Sequence, residues 1–280
     1  MTDENQGPLF TSRRRERRSD GPPLVPIVMG VLLVAAVGAW WFWLRSPETP
    51  VEPRTPVPGA EMPADTAVRD PTAGVPPLDL PPVEASDTFV REQLDDLSDD
   101  PLLGRWLGAD DLVRRYVTAV VNLAAGASPA GQLPFLRPEG AFEVRETEGG
   151  ALVIDEVSYD RYDPLVDAVE SVDVEVAARL YRQLYPLFDE VYRGLGLPEP
   201  SFDAAVARAL GTILAVEVPE GPVEVLPTGV VYEFRDPRLE DLAPAAKHVI
   251  RLGPENARRL QARTRDLVDA LGIVPREPGS

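Results

Sequence analysis

The chain has 280 residues, with 28 Lys and Arg against 46 Asp and Glu, a formal charge of -18, no cysteine and one histidine. Without cysteine there are no disulfides, thiol nucleophiles or thiolate metal sites, and a lone His248 leaves no His pair or His-rich zinc centre within one chain. The first 45 residues carry six Arg and four acids, leaving 22 basic and 42 acidic residues beyond them, a balance that repels nucleic acid and whose plain use is solubility.

Residues 1–23 form an Arg-rich tail that includes Arg13, Arg14, Arg15, Arg17 and Arg18. From Leu24 to Leu44 the chain reads LVPIVMGVLLVAAVGAWWFWL with no charged side chain, enough at helical rise to cross a hydrocarbon layer of ~30 Å. The basic flank resists translocation, so residues 24–44 are expected to be a single transmembrane helix with the amino terminus in the cytoplasm. Trp40, Trp41 and Trp43 gather at its far end, where indoles favour the headgroup layer, and Arg45 marks the exit into water. A cleaved signal peptide is the competing reading, with Val37-Gly38-Ala39 as a small-residue cleavage site; it leaves a Trp-rich apolar start on the mature chain, which disfavours it.

Residues 45–86 are rich in proline and lack long apolar runs, so burial there does not offset the entropy of ordering. They are expected to be a disordered spacer, with a reach between roughly 35 Å as a coil and about 120 Å drawn out.

Hydrophobic periodicity begins after Ser86 and defines a globular domain over residues 87–274, with a loose tail at 275–280. Ser86 or Asp87 is a candidate cap for DTFVREQLDDLS, DPLLGRWLG suits a short helix bringing Trp106 to the core, and Asp110 is a candidate cap for DLVRRYVTAVVNLAAG. AFEVRETEGGALVID alternates Phe142 and Val144 with charged neighbours, turns at Gly149-Gly150 and returns through Leu152 to Ile154, as a β-hairpin does. VEVLPTGVVYEF suits a second hairpin turning at Pro227 to Gly229, with Val230, Tyr232 and Phe234 on one face. Ser201 is placed to cap a helix with the stripe Phe202, Val206, Leu210 and Ile213. Pro254 suits the first turn of a last helix that buries Ala257, Leu260, Thr264, Leu267, Val268 and Leu271. The sum is a mostly helical α+β domain with one or two small hairpins.

The most distinctive stretch is ARLYRQLYPLFDEVYRG, Ala178 to Gly194. At 100 degrees per residue, Leu180, Tyr181, Leu184, Tyr185, Leu187, Phe188, Val191 and Tyr192 share one arc, and Arg182, Gln183, Asp189, Glu190 and Arg193 fill the other, with Pro186 on the wet side. Amphipathic order alone explains every aromatic, so a packed core helix is favoured over a ligand platform. Left uncovered, Tyr181, Tyr185 and Tyr192 at the margin of the apolar arc would form an aromatic strip fit for a partner.

RYDPLVDAVESVD, LYRQLYPLFDEVYRGLG and RLGPENARR, preceded by FVREQLDDLSDDPLLGRWLGADDLVRRYVTAVVNLAAG, resemble the bacterial family known as domain of unknown function 3014. The resemblance runs from Thr88 to Ile273, and the anchor followed by a Pro-rich spacer is similar to the family's usual layout. It implies the bacterial inner membrane with the domain held outside the cytoplasm, and brings no reaction, cofactor or catalytic residue; the role expected of the tethered domain is contact with another envelope component.

The local motifs of nucleotide-binding loops, GxSxG hydrolases and HExxH metalloproteases are absent. Carboxylates are plentiful at Asp95-Asp96, Asp99-Asp100 and Asp110-Asp111 and in the set Asp155, Glu156, Asp160, Asp163 and Asp167. A pair roughly 5 to 9 Å apart suits glycoside hydrolysis of an envelope polysaccharide or peptidoglycan, although helix caps and solvated faces account for most such acids. The Asp-rich run before Pro164 lacks the glycine and terminal glutamate of a calcium loop. Arg258, Arg259, Arg263 and Arg265 concentrate on one helix of an acidic chain; pairing with nearby acids is the favoured reading and docking to an anionic partner the alternative. His248 sits among apolar residues beside Lys247 and is expected to be structural or superficial.

Overall fold

The computed structural model describes residues 70–94, 97, 100–132, 138–197, 200–229 and 231–276. The chain divides into two units, residues 1–66 and 67–280, and all the described residues belong to the second. The Arg-rich tail, the expected span 24–44 with Trp40, Trp41 and Trp43, Arg45, the spacer as far as residue 69, Asp95, Asp96, Asp99 and the side chain of Trp106 lie outside the described residues. Among the described residues no helix is long and apolar enough to cross a membrane.

The domain is mostly helical with two small antiparallel sheets, in the order α1 (Asp87–Leu94), α2 (Pro101–Leu107), α3 (Leu112–Ala124), β1 (Val144–Glu146), β2 (Leu152–Ile154), α4 (Glu156–Asp160), α5 (Asp163–Ser171), α6 (Val174–Gly194), α7 (Phe202–Leu214), β3 (Val225–Thr228), β4 (Val231–Phe234), α8 (Pro237–Glu240), α9 (Pro244–Arg251) and α10 (Pro254–Leu271). Packing starts before α1: Val83, in a one-turn 3-10 helix, and Leu80 join the core, so the last residues of the expected spacer lie against the domain.

α3 lies along α7 and against α6, as its stripe of Leu112, Val113 and Val117 requires; all three are buried. Its start departs from the expected cap at Asp110. Asp111 takes a left-handed conformation, φ 57°, with no cap of its own, and the Asp87 carboxylate accepts from the amides of Asp111 at 2.8 Å and Leu112 at 2.9 Å. A left-handed residue at this point presents two amides to α1, so a cap 24 residues upstream replaces a local one. Arg91 adds a second tie from α1, donating to the carbonyls of Leu107 and Ala109 at 2.6 and 2.7 Å.

α6 begins at Asp173, whose carboxylate accepts from Glu175 and Val176, and Pro186 sits on its exposed side, where the lost amide bond faces water. Ser201 caps α7 as expected, accepting from Ala204. α7 presents alanines and Gly211 to its neighbours; a Cβ at Gly211 would stand 1.8 Å from the carbonyl oxygen of Arg276, whose amide donates to Ala207 O at 3.0 Å. The chain after α10 therefore crosses α7 in contact, and packing continues through residue 276.

The hairpins pair Val144 with Ile154 and Val225 with Phe234; the second turns later than the expected Pro227 to Gly229, because Pro227 and Thr228 lie in β3, paired with Tyr232 and Val231. An Ile154 amide to Val223 carbonyl bond of 3.0 Å and a Val153–Glu224 bridge join them. Two apolar cores result. One, under α3, α6 and α7, holds Phe202, Phe188, Leu184 and Val117; the other, between the hairpins and α9–α10, holds Ile154, Phe234, Ile250 and Ala257. Each fully buried large side chain contributes roughly 1.5–3 kcal/mol.

Candidate functional site

A polar concavity tied to the distinctive sequence blocks lies where α4 and α5 meet the first turn of α10. It is a cleft of about 530 Å³, walled by Arg145 of β1, by Glu156, Tyr159, Asp160 and Asp163, and by Gly253, Glu255, Asn256 and Arg259. Two blocks far apart in sequence, RYDPLVDAVESVD and RLGPENARR, converge on it. Gly253 makes the approach possible: its φ is +85°, and a Cβ there would lie 2.5 Å from the Tyr159 ring. Pro254 then starts α10 with φ preset, and Asn256 follows in its first turn.

Asn256 is only 4% exposed and fully used. Its Nδ2 donates to Asp163 Oδ1 at 2.7 Å and to the Tyr159 carbonyl at 3.3 Å, and its Oδ1 accepts from Arg259 Nη1 at 3.1 Å. Arg259 continues outward to Asp167 at 2.5 Å and to both oxygens of Glu170 at 3.1 and 2.6 Å. Arg259 hydrogen bonds hold the Glu170 carboxyl below its usual range, and Glu170 and Asp167 in turn raise the guanidinium. Burial pushes the Tyr159 phenol up to about 12. This is a chain of mutually satisfied charges joining α5 to α10.

The tyrosine margin of α6 is covered. Tyr181, Tyr185 and Tyr192 are all buried, with Phe188, Phe202 and Tyr116 around them in one aromatic cluster. Tyr181 donates to Asp203 at 3.0 Å and Tyr185 to Asp189 at 3.2 Å. Burial first, then those carboxylates, raises both phenols, Tyr185 to about 12. Asp189 departs from the expected pattern: it is 6% exposed rather than solvated, because the incoming α7 brings the Phe202 amide to it at 3.4 Å and Arg193 pairs with its other oxygen.

The four arginines of α10 divide. Arg259 is engaged as above, and Arg263 binds the Val172 carbonyl and Asp266. Arg258 and Arg265, seven residues apart on the outer face, are exposed and have no hydrogen bond or ion pair among the described residues. His248 keeps an exposed surface near Arg251; partial burial of its ring, then that guanidinium, lowers its proton affinity. Of the expected acid set, Asp155 caps α4 and faces Arg145 at 3.8 Å, Asp163 and Asp167 belong to the Asn256–Arg259 chain, and Glu156 and Asp160 stand on the cleft wall. No group of three His, Asp or Glu side chains is arranged to hold a metal ion among the described residues. Sequence reading missed Asn256 and Gln261, the latter buried and donating to the Ile213 and Val216 carbonyls at 3.1 and 2.9 Å. The one local cue was the Gly-Pro pair just before Asn256.

These features define a helical α+β domain whose polar cleft has one wall tied together by Asn256 and Arg259. Residues 112–268 match the family described as Protein of unknown function (DUF3014), and the chain belongs to that family. Comparison with curated proteins and with solved structures gives no match.

Proposed function

We propose that this is a single-pass protein of the bacterial inner membrane, with its amino terminus in the cytoplasm and residues 24–44 as the anchor. Its helical domain, held outside the cytoplasm on the Pro-rich spacer, is an interaction module that docks an envelope protein. The observation that supports binding over chemistry is the engagement of three of the five clustered acids: Asn256 takes Asp163, Arg259 takes Asp167 together with Glu170, and the α4 amide with Arg145 takes Asp155, which leaves Glu156 and Asp160 on the cleft wall. Hydrolysis through paired carboxylates needs one acid held protonated and another free, and hydrogen bonding to the charged form works against the first. Arg258 and Arg265 remain outward and offer an anionic partner two guanidinium groups that have no ion pair among the described residues.

The test is in-cell crosslinking of the tagged full chain beside membrane extraction and a carboxyl-terminal topology reporter. The expected result is a membrane-held chain, a reporter outside the cytoplasm, and a specific partner whose yield falls in Arg258→Glu/Arg265→Glu. A soluble mature chain or a cytosolic reporter refutes the anchor, and recovery of no specific partner refutes the module.

A further inference from the structure

The two hairpins form a short run of strands whose outer edge is β4, and edges of this kind invite pairing with another chain. Its outward face adds to the hazard. Leu226 and Val231 lie on the side of the hairpin away from the core and are 45% and 55% exposed, and the register places them beside Glu233 and Thr228. The Arg235 amide bonds to Glu224, so odd-numbered residues of β4 face β3 and Tyr232 and Phe234 turn their backbone groups to the free edge.

Two of those groups are met by side chains. The Phe234 amide donates to Glu240 Oε2 at 2.8 Å, and Arg251 donates to the Tyr232 carbonyl at 3.3 Å while its guanidinium lies over the Phe234 ring. Glu240 is fixed in turn by Lys247, from the next helix, in a short and largely covered ion pair. Two charged side chains, Glu240 of α8 and Arg251 of α9, thus occupy hydrogen-bonding positions that an added strand needs, and Lys247 of α9 holds the first of them in place.

We infer that Glu240, Arg251 and Lys247 are an edge guard, which keeps β4 from pairing edge to edge with β4 of a second copy of this chain. This reading is independent of the docking role proposed above, because it concerns the hairpin and not α10.

The experiment compares the full chain in detergent micelles with Glu240→Ala and Glu240→Gln, by residue-resolved hydrogen exchange and by protein mass from light scattering across a concentration series. In the parent, the Phe234 amide is expected to be protected to a degree comparable with Arg235. In Glu240→Ala, Phe234 loses at least tenfold protection while Arg235 keeps its own, and protein mass rises with concentration toward twice the parent value. Glu240→Gln retains an acceptor and stays at the parent mass, and Val231→Lys added to Glu240→Ala returns it there. A Glu240→Ala chain that stays folded at the parent mass at every concentration overturns the inference. So does one that unfolds outright, since the carboxylate then holds the hairpin together instead of guarding it.

Discussion

Replacing Asn256 with Ala tests whether the cleft is a structural joint. The substitution removes a bond to the Asp163 carboxylate, one to the Tyr159 carbonyl and one accepted from Arg259, all from a side chain only 4% exposed. Bonds to charged groups contribute about 1.5–3 kcal/mol each and neutral ones about 1, but Arg259 keeps Asp167 and Glu170, so the three do not simply add. A loss of about 3 kcal/mol is expected, which lowers the melting temperature of a domain of this size by roughly 6–12 °C. Asn256→Asp should cost at least as much, because it exchanges the donor for a carboxylate facing Asp163. The assay is circular dichroism of the full chain in detergent, by heat and by urea. If either variant stays within about 0.5 kcal/mol of the parent, the joint is not a joint.

Leu184, 2% exposed in the first core, should not tolerate Asp: about 4 kcal/mol or more is lost, and an unchanged thermal melt refutes the packing assigned to α6. Gly211→Ala places a methyl group against the Arg276 carbonyl, so residues 274–276 should detach and trypsin should cut after Arg276 markedly faster with little change in melting; equal cleavage rates refute the crossing. Tyr116, Tyr159 and Tyr185, raised to about 12, and Tyr181, raised further, contribute stability that is full below the ordinary tyrosine value near 10 and is lost as pH climbs through their folded values. Absorbance of tyrosinate should therefore lag for these four of seven tyrosines until the domain unfolds; a single titration near pH 10 with the fold intact refutes their burial. Glu170, held low by Arg259, contributes stability that is present above the ordinary glutamate value and fades as pH falls through its folded value. With its side chain 40% exposed the gain is at most about 1 kcal/mol, and Arg259→Met should flatten that acid limb of the stability curve.

Local pattern carried much of the fold. Period-3.6 stripes in α3, α6, α7 and α10 and period-2 alternation, with a turn at Gly149-Gly150 in the first hairpin, gave the helices and both hairpins, since each signal is written within a dozen or so neighbouring residues; the second turn lies later than expected, since Pro227 and Thr228 still pair in β3. What stayed hidden depends on elements meeting across long stretches of chain. Asp189 sits on the polar arc of its own helix and is buried only because α7 arrives at it. Asp87 caps a helix 24 residues away, and Asn256 and Gln261 look like ordinary polar helix positions until α4 and the end of α7 are placed beside them. In the same way, the arginines of α10 are one composition but two populations, and only the position of α5 separates Arg259 from Arg258.

The borrowed cap at Asp87 bears on where this domain can be cut. The stretch shared with its family begins at Leu112, the very residue whose amide that carboxylate receives, and stops at Val268, short of the crossing over Gly211. An expression fragment trimmed to those limits would open its first long helix with a bare end and leave a groove over Ala207 empty. The packed unit is wider than the matched stretch, and recombinant boundaries near Leu80 and Arg276 respect it.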